Sequence, residues 1–369
     1  MVRKRIWMIG TTPTGKGGVA SILQQYQVAG MLSDESVHFE PSHSDTGPAG
    51  RILPFLVCAA RLWIAIMLGK VSVLHAHTSY GGSFWRKLVL TLPALLIDVP
   101  VIVHLHSGSF VEYHAKGSAW RRACMRLLFR RAFRVVVLSD EWKQWAQDVE
   151  PATRVTVVPN SLATSTGAQA CSMADDHPTI LFLGRVGDAK GTFDLLRAFA
   201  TVRQSIPLAR LVIGGDGDIE RLNSEVVGLN LEGAVEYVGW AEGAAKSKLL
   251  AACWVFALPS YKEGLPMGIL EAMAYSRAVV GCPVGGIPYA VDHGVTGLLV
   301  QPGDVRALGS SLLAVLSSRT EAQRLGQAGR QAFVRKFSHD ANLPRILALY
   351  REAGAVRLPV LHFAKMEGG

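Results

Sequence analysis

At 369 residues the chain exceeds one ordinary domain and predicts two. Hydrophobic residues make up 49% and charged residues 18%, which excludes a disordered or fibrous chain and supplies apolar mass for sizeable cores. The net charge of +9 is uneven: residues 1–170 hold 18 Lys+Arg against 10 Asp+Glu, and the remainder is near balance.

Met1-Val2-Arg3-Lys4-Arg5 has the charge of a secretory n-region, but the apolar stretch from Ile6 to Gly10 is too short for the h-region, so no signal is expected. Short apolar strand segments alternate with helical stretches, the pattern of parallel α/β sheets. In the first half the strands are Ile6–Ile9, Val71–His75, Val101–His104, Arg134–Leu138 and Val155–Val158. Gly15-Lys16-Gly17-Gly18 follows the first strand and opens a helix. Gly10 to Lys16 also spells the G-x4-G-K of a P-loop, yet Gly17 stands where a Ser or Thr must hold Mg²⁺. A P-loop NTPase is therefore the weaker reading.

Ile52 to Leu68 is a long apolar run interrupted by Pro54 and Arg61. It predicts a helix packed on a sheet or dipping into a membrane interface, not a bilayer span. His75 and His77, then His104 and His106, stand two apart near strand ends, so each pair shares a sheet face. No acidic or Cys partner accompanies them, and no metal is expected. The run from Trp120 to Arg134 carries the basic excess. On a helix Arg122, Arg126 and Arg130 share one face, with Met125, Leu128, Phe129 and Phe133 on another, the pattern of a helix lying on anionic lipid. No nucleic-acid motif accompanies it, so nucleic acid is not an expected partner. The five cysteines are scattered without a CxxC pair, which fits a reducing cytoplasm and neither a disulfide framework nor a metal site.

Ala163 to His177, rich in Ser, Thr, Ala, Gly and Asp, has linker composition. Beyond it the expected strands are Thr179–Leu183, Arg210–Ile213, Val235–Val238, Trp254–Leu258, Ala278–Gly281 and Gly297–Val300. Two cations, Arg185 and Lys190, flank the first strand-to-helix turn of this half, a place to hold a diphosphate and offset charge on a leaving group. Glu263-Gly264-Leu265-Pro266-Met267-Gly268-Ile269-Leu270-Glu271 reads as a loop entering a helix, with Pro266 in its first turn. A helix N-terminus favours anions, and two carboxylates beside it favour hydroxyls. A nucleotide sugar carries both.

The Glu263/Glu271 spacing resembles the two-glutamate signature of retaining GT-B glycosyltransferases, most closely family 4 (glycosyltransferase group 1). The flanking Leu258-Pro259-Ser260 and Ala272-Met273-Ala274 belong to the same pattern. Gly184-Arg185 with Lys190-Gly191 resembles the family's G-R-x(4)-K-G, and Asn160-Ser161 its "pNG" junction, with Ser in place of Gly. The resemblance covers nearly the whole chain. It implies two Rossmann-like doubly wound domains facing a central cleft: residues 1–165 on the acceptor side and 171–343 for the nucleotide sugar, with a C-terminal helix at about 344–369 packing back on the first. It implies that Arg185 and Lys190 grip the diphosphate, Glu271 the ribose and Glu263 the donor sugar. Gly264, Leu265, Pro266 and Met267 would line the phosphates, Val238 the base, and Gly17 and Gly18 the donor from the other domain. His106 would face the reacting sugar, with His77 and Lys16 on the acceptor side. No metal or cofactor is implied, and the donor is a UDP- or GDP-sugar. With the basic first domain, the expected acceptor is a lipid-linked saccharide in bacterial surface polysaccharide assembly, at the inner face of the cytoplasmic membrane. Rival readings are a non-catalytic nucleotide-sugar-binding membrane protein and an epimerase of free nucleotide sugars.

Overall fold

The computed structural model describes residues 4–15, 17–43, 47–167 and 177–361. In chain order the elements are β1 (Arg5–Gly10), α1 (Gly18–Val28), β2 (Val37–Pro41), α2 (Gly47–Met67), β3 (Val71–Thr78), α3 (Gly82–Leu96), β4 (Val101–Leu105), α4 (Phe110–Ala115), α5 (Ala119–Arg131), β5 (Arg134–Val137), α6 (Asp140–Val149) and β6 (Val155–Val157). They continue as β7 (Thr179–Leu183), α7 (Thr192–Ser205), β8 (Arg210–Gly214), α8 (Ile219–Gly228), β9 (Val235–Tyr237), α9 (Gly243–Ala252), β10 (Val255–Leu258) and α10 (Met267–Ala274). The last are β11 (Ala278–Gly281), α11 (Ile287–Ala290), β12 (Leu298–Leu299), α12 (Val305–Leu316), α13 (Arg319–Lys336) and α14 (His339–Glu352).

The chain divides into two units: Met1–Ala163 with Ser338–Gly369, and Thr164–Phe337. Each is built on a six-stranded sheet whose described pairings are all parallel, in the orders β2-β1-β3-β4-β5-β6 and β12-β11-β10-β7-β8-β9. The strand order reverses beside the first strand of each unit, so both are doubly wound and Rossmann-like. Every strand read from the sequence is present within a few residues, and β2 is an addition. Val37-His38-Phe39-Glu40-Pro41 pairs only with β1 at the sheet edge, so it lacks the continuous apolar run of a strand buried on both faces.

In the first unit, alternate strand residues serve opposite layers. Trp7, Ile9, Leu74, Ala76, Val101, Val103, Val135 and Val137 join Cys58, Leu62, Leu88, Leu128 and Phe129 in one core, so α2, α3 and α5 cover that face. The intervening residues, His75, His77 and His104 among them, meet Tyr26 of α1 and Tyr350 of α14 on the other. The α14 helix is tied in at both ends. At its start the His339 amide donates to the Leu162 carbonyl at 2.8 Å, and near its end Glu352 pairs with Arg134 at 2.9 Å.

Candidate active site

The second unit brings its two signature loops together through one glycine. Gly191 follows a 3-10 turn over Asp188–Lys190 and has φ 68°, the left-handed region that glycine tolerates best. A Cβ there would lie 2.0 Å from the Pro259 carbonyl oxygen, so only glycine lets the two backbones pass. The Tyr261 amide donates to the Ala189 carbonyl at 3.0 Å and completes the seam. Lys190 Nζ thereby reaches Glu263 Oε1 at 2.6 Å, and Ser260 Oγ donates to the same oxygen at 2.7 Å. The Glu263 side chain is only 7% exposed. On its other side the turn at Gly285-Gly286 packs against the Glu263 and Gly264 carbonyls, and the Gly286 amide donates to the latter at 2.5 Å. The glutamate is thus held in place by a cation, a hydroxyl and two packed loops.

The helix α10 starts at Met267, with Pro266 as its N-cap residue one position ahead of the expected first turn. Proline has no N–H, so of the four residues expected to line the phosphates Pro266 brings shape but no donor. Glu271 lies one turn inside the helix and is 8% exposed. Lys246 of α9 holds its Oε1 at 2.6 Å. The two carboxylates therefore share a design: a lysine fixes one oxygen, and Oε2 of each makes no side-chain bond among the described residues. A carboxylate oxygen so oriented accepts from hydroxyls.

Arg185 follows β7, is exposed, and makes no ion pair among the described residues. Val238 follows β9 half-buried, its amide donating to the Ile213 carbonyl at 3.0 Å. The neighbouring Gly215 amide donates to the Gly239 carbonyl at 2.7 Å and the Tyr237 hydroxyl to the Gly215 carbonyl at 2.8 Å, which fixes the turns after β8 and β9.

In the first unit, Gly17 caps α1 with φ 108°, and a Cβ at Gly17 or Gly18 would meet nothing within 4 Å. Gly17 is thus required for backbone direction and not for close packing. Lys16 lies outside the described residues. His106 is half-buried just past β4, its Nε2 hydrogen-bonded to His77 at 2.8 Å and its Nδ1 buried without a hydrogen-bond partner among the described residues. Burial lowers its pKa to about 3, against an opposing pull from Asn160, so the ring is neutral. His77, expected to line the acceptor side, is 1% exposed. It is the next-to-last residue of β3, packed against Tyr26, and hydrogen-bonds the His106 ring. His75 bonds the Tyr350 hydroxyl at 2.7 Å and His104 at 3.3 Å. Ligand nitrogens of His75, His77 and His104 lie within 4.8 Å of one another, close enough to ask about a metal. Four of their six ring nitrogens are engaged on neighbouring rings and Tyr350, His77 Nε2 and His104 Nε2 are buried without a hydrogen-bond partner among the described residues, and the group includes no carboxylate or thiolate.

Sequence reading did not assign Lys246, Ser260, Asn160 or Tyr350. Ser260 stood in a quoted motif without a role. Lys246 is 25 residues from its partner on a different helix, and no spacing reveals that contact.

Comparison with known proteins gives a match within each of the two units. The profile described as "Glycosyl transferases group 1" matches residues 169–332, and "Glycosyl transferase 4-like domain" matches 23–161. The chain belongs to the group 1, family 4 glycosyltransferases and has the GT-B fold. It is 28% identical to an alpha-maltose-1-phosphate synthase of Mycobacterium tuberculosis over 80% of this chain and 83% of that one. It is also 28% identical to a phosphatidyl-myo-inositol mannosyltransferase of Mycobacterium leprae, over 80% and 77%. Among solved structures, sucrose-phosphate synthase from Thermosynechococcus elongatus superposes with a TM-score of 0.76 at 21% identity, covering 96% of this chain and all of that one. The Anabaena protein HepE, solved with UDP and glucose, gives 0.75 at 18% identity over 95% of this chain and 100% of that one. The P-loop spacing of Gly10 to Lys16 is, in this family, a coincidence of sequence.

Proposed function

We propose that this glycosyltransferase moves a sugar from a UDP- or GDP-sugar to an acceptor hydroxyl with retention of anomeric configuration. The observation that carries this reading is the lysine-oriented carboxylate pair, Glu263 with Lys190 and Glu271 with Lys246, beside the start of α10. Arg185 and Lys190 take the diphosphate and stabilise its charge as the sugar leaves. Gly264, Leu265 and Met267 offer amides to the phosphates, and Pro266 shapes the turn. The open oxygen of Glu271 accepts from the ribose hydroxyls, and that of Glu263 from hydroxyls of the transferred sugar. Val238 lies by the base. Gly17 and Gly18 admit the donor to the first unit, and His106, held neutral, hydrogen-bonds the reacting sugar without adding charge. Two cations supply the charge that a divalent metal supplies elsewhere.

The acceptor in this reading is a lipid-linked saccharide at the inner face of the cytoplasmic membrane, with Arg122, Arg126 and Arg130 on anionic headgroups. All three arginines are exposed, and the Mycobacterium leprae relative is named a phosphatidyl-myo-inositol mannosyltransferase. A thermal-shift panel of UDP, GDP and their sugars tests the donor claim. One or more nucleotide sugars should raise the melting temperature by several degrees, and the Glu271→Ala variant should lose that response. A wild-type protein indifferent to every UDP and GDP species would sink the assignment.

A further inference from the structure

Among the described residues, the outer side of α2 is an anomalous surface. Its inner stripe, Phe55, Cys58, Ala59, Leu62, Ala65 and Ile66, belongs to the core of the first unit. The opposite stripe is apolar too. Leu53, Leu56, Ile64 and Met67 recur at helical spacing and are exposed, Met67 to 76%. Neighbouring α3, which packs against α2, exposes Leu92 and Leu96, the latter to 77%. Soluble monomers rarely leave contiguous apolar area of this kind uncovered.

Charge indicates what covers it. Neither α2 nor α3 contains an Asp or Glu, and Arg51 and Arg61 are exposed beside the apolar stripe, Arg61 pairing with Glu40 of β2 at 3.3 Å. The same sheet face carries α5, itself without a carboxylate, with Arg122, Arg126 and Arg130 exposed and only Arg126 ion-paired, with Glu150 at 3.5 Å, among the described residues. A second copy docking face to face would set these cations against one another. An anionic bilayer complements both parts, acyl chains for the apolar stripe and phosphates for the arginines. The segment Gly50–Met67 has a mean hydropathy of 1.7, enough for a span, but crossing would tear its inner stripe out of the core.

We propose that the outer faces of α2 and α3 insert into one leaflet of an anionic bilayer, with α2 lying in the membrane plane and the α5 arginines on the headgroups. This deepens the reading of a lipid-borne acceptor and makes the apolar stripe, not the basic helix alone, the main anchor. Flotation of the full chain with vesicles of phosphatidylglycerol and phosphatidylethanolamine tests it. Wild type should float with them, and Leu56→Asp/Ile64→Asp should lower the bound fraction at least tenfold. Arg122→Glu/Arg126→Glu/Arg130→Glu should remove the preference over phosphatidylcholine vesicles. Light scattering on the same samples tests the rival occupant. A wild-type dimer that the aspartates dissolve, or aspartate variants that float as wild type does, overturns the proposal. The nucleotide-sugar thermal shift, run in parallel, should be unchanged in these surface variants, so a wrong donor assignment and a wrong membrane assignment give different results.

Discussion

Glu263 and Glu271 differ in what their partners do. Lys190 is shared between the Glu263 carboxylate and, in the proposed complex, the departing diphosphate. Its removal should therefore act on the chemical step: Lys190→Ala is expected to cut kcat by about 10²-fold or more. Steady-state kinetics with saturating donor checks this, and a change confined to KM would reassign the lysine to simple binding. Lys246 touches Glu271 only through Oε1, so it positions the carboxylate. Lys246→Met should raise the donor KM by roughly tenfold, about 1.4 kcal/mol, with kcat nearly unchanged. Glu271→Ala should do at least as much. The motif glutamates were legible because they are close in sequence and flanked by loop and helix signals. Their lysine partners differed in legibility for the same reason: Lys190 sits in a motif of its own, whereas Lys246 meets Glu271 only once α9 and α10 are folded.

Among the elements, the loop seam at Gly191 and the histidine layer on β3 and β4 carry the sharpest expectations. Gly191→Ala forces a left-handed residue to carry a Cβ against the Pro259 carbonyl, which should cost on the order of 2–3 kcal/mol and displace Lys190. Chemical denaturation would show the loss as a lower midpoint with an unchanged slope. In the histidine layer, burial takes His75 and His106 to about 3 and holds His77 and His104 well below their ordinary value. The unfolded chain protonates these rings near 6.5 and the folded one resists, so the folded state loses stability as pH falls below about 6.5, by up to about 1.4 kcal/mol per pH unit for each ring. Above that pH they impose no penalty. Melting temperatures should hold level between pH 7 and 8 and fall steeply towards pH 5, and a flat profile down to pH 5 would contradict the neutral layer. The period-two spacing placed these rings on one sheet face, but sequence could not say that Tyr350, 275 residues from His75, closes over them. The exposed stripe of α2 was likewise half legible: the run of apolar residues was plain, but which of its sides the sheet would take depends on packing.

At the scale of the whole molecule, the alternation of strands and helices made two parallel α/β units readable, because each crossover helix sits between its strands in sequence. The second unit is one continuous stretch, Thr164–Phe337, and the first is not. A fragment covering 164–337 should therefore fold alone and retain a nucleotide-sugar thermal shift. A fragment ending at Ala163 lacks α14 and leaves the His75–His104 layer facing water, so it should show loose tertiary structure by near-ultraviolet circular dichroism. A cooperative melt of that fragment would show that α14 is dispensable.

The return of α14 also sets an order of events during synthesis. Strands β1 to β6 leave the ribosome well before the helix that seals their polar layer, because the entire second unit lies between them. The second unit is complete in the chain before α14 is made, whereas the first must wait, its histidine layer uncovered, until α14 follows. A premature stop just before Ser338 would spare the fold that carries the two glutamates and ruin the one made earlier. Of the two units, the one begun earlier is the one finished later.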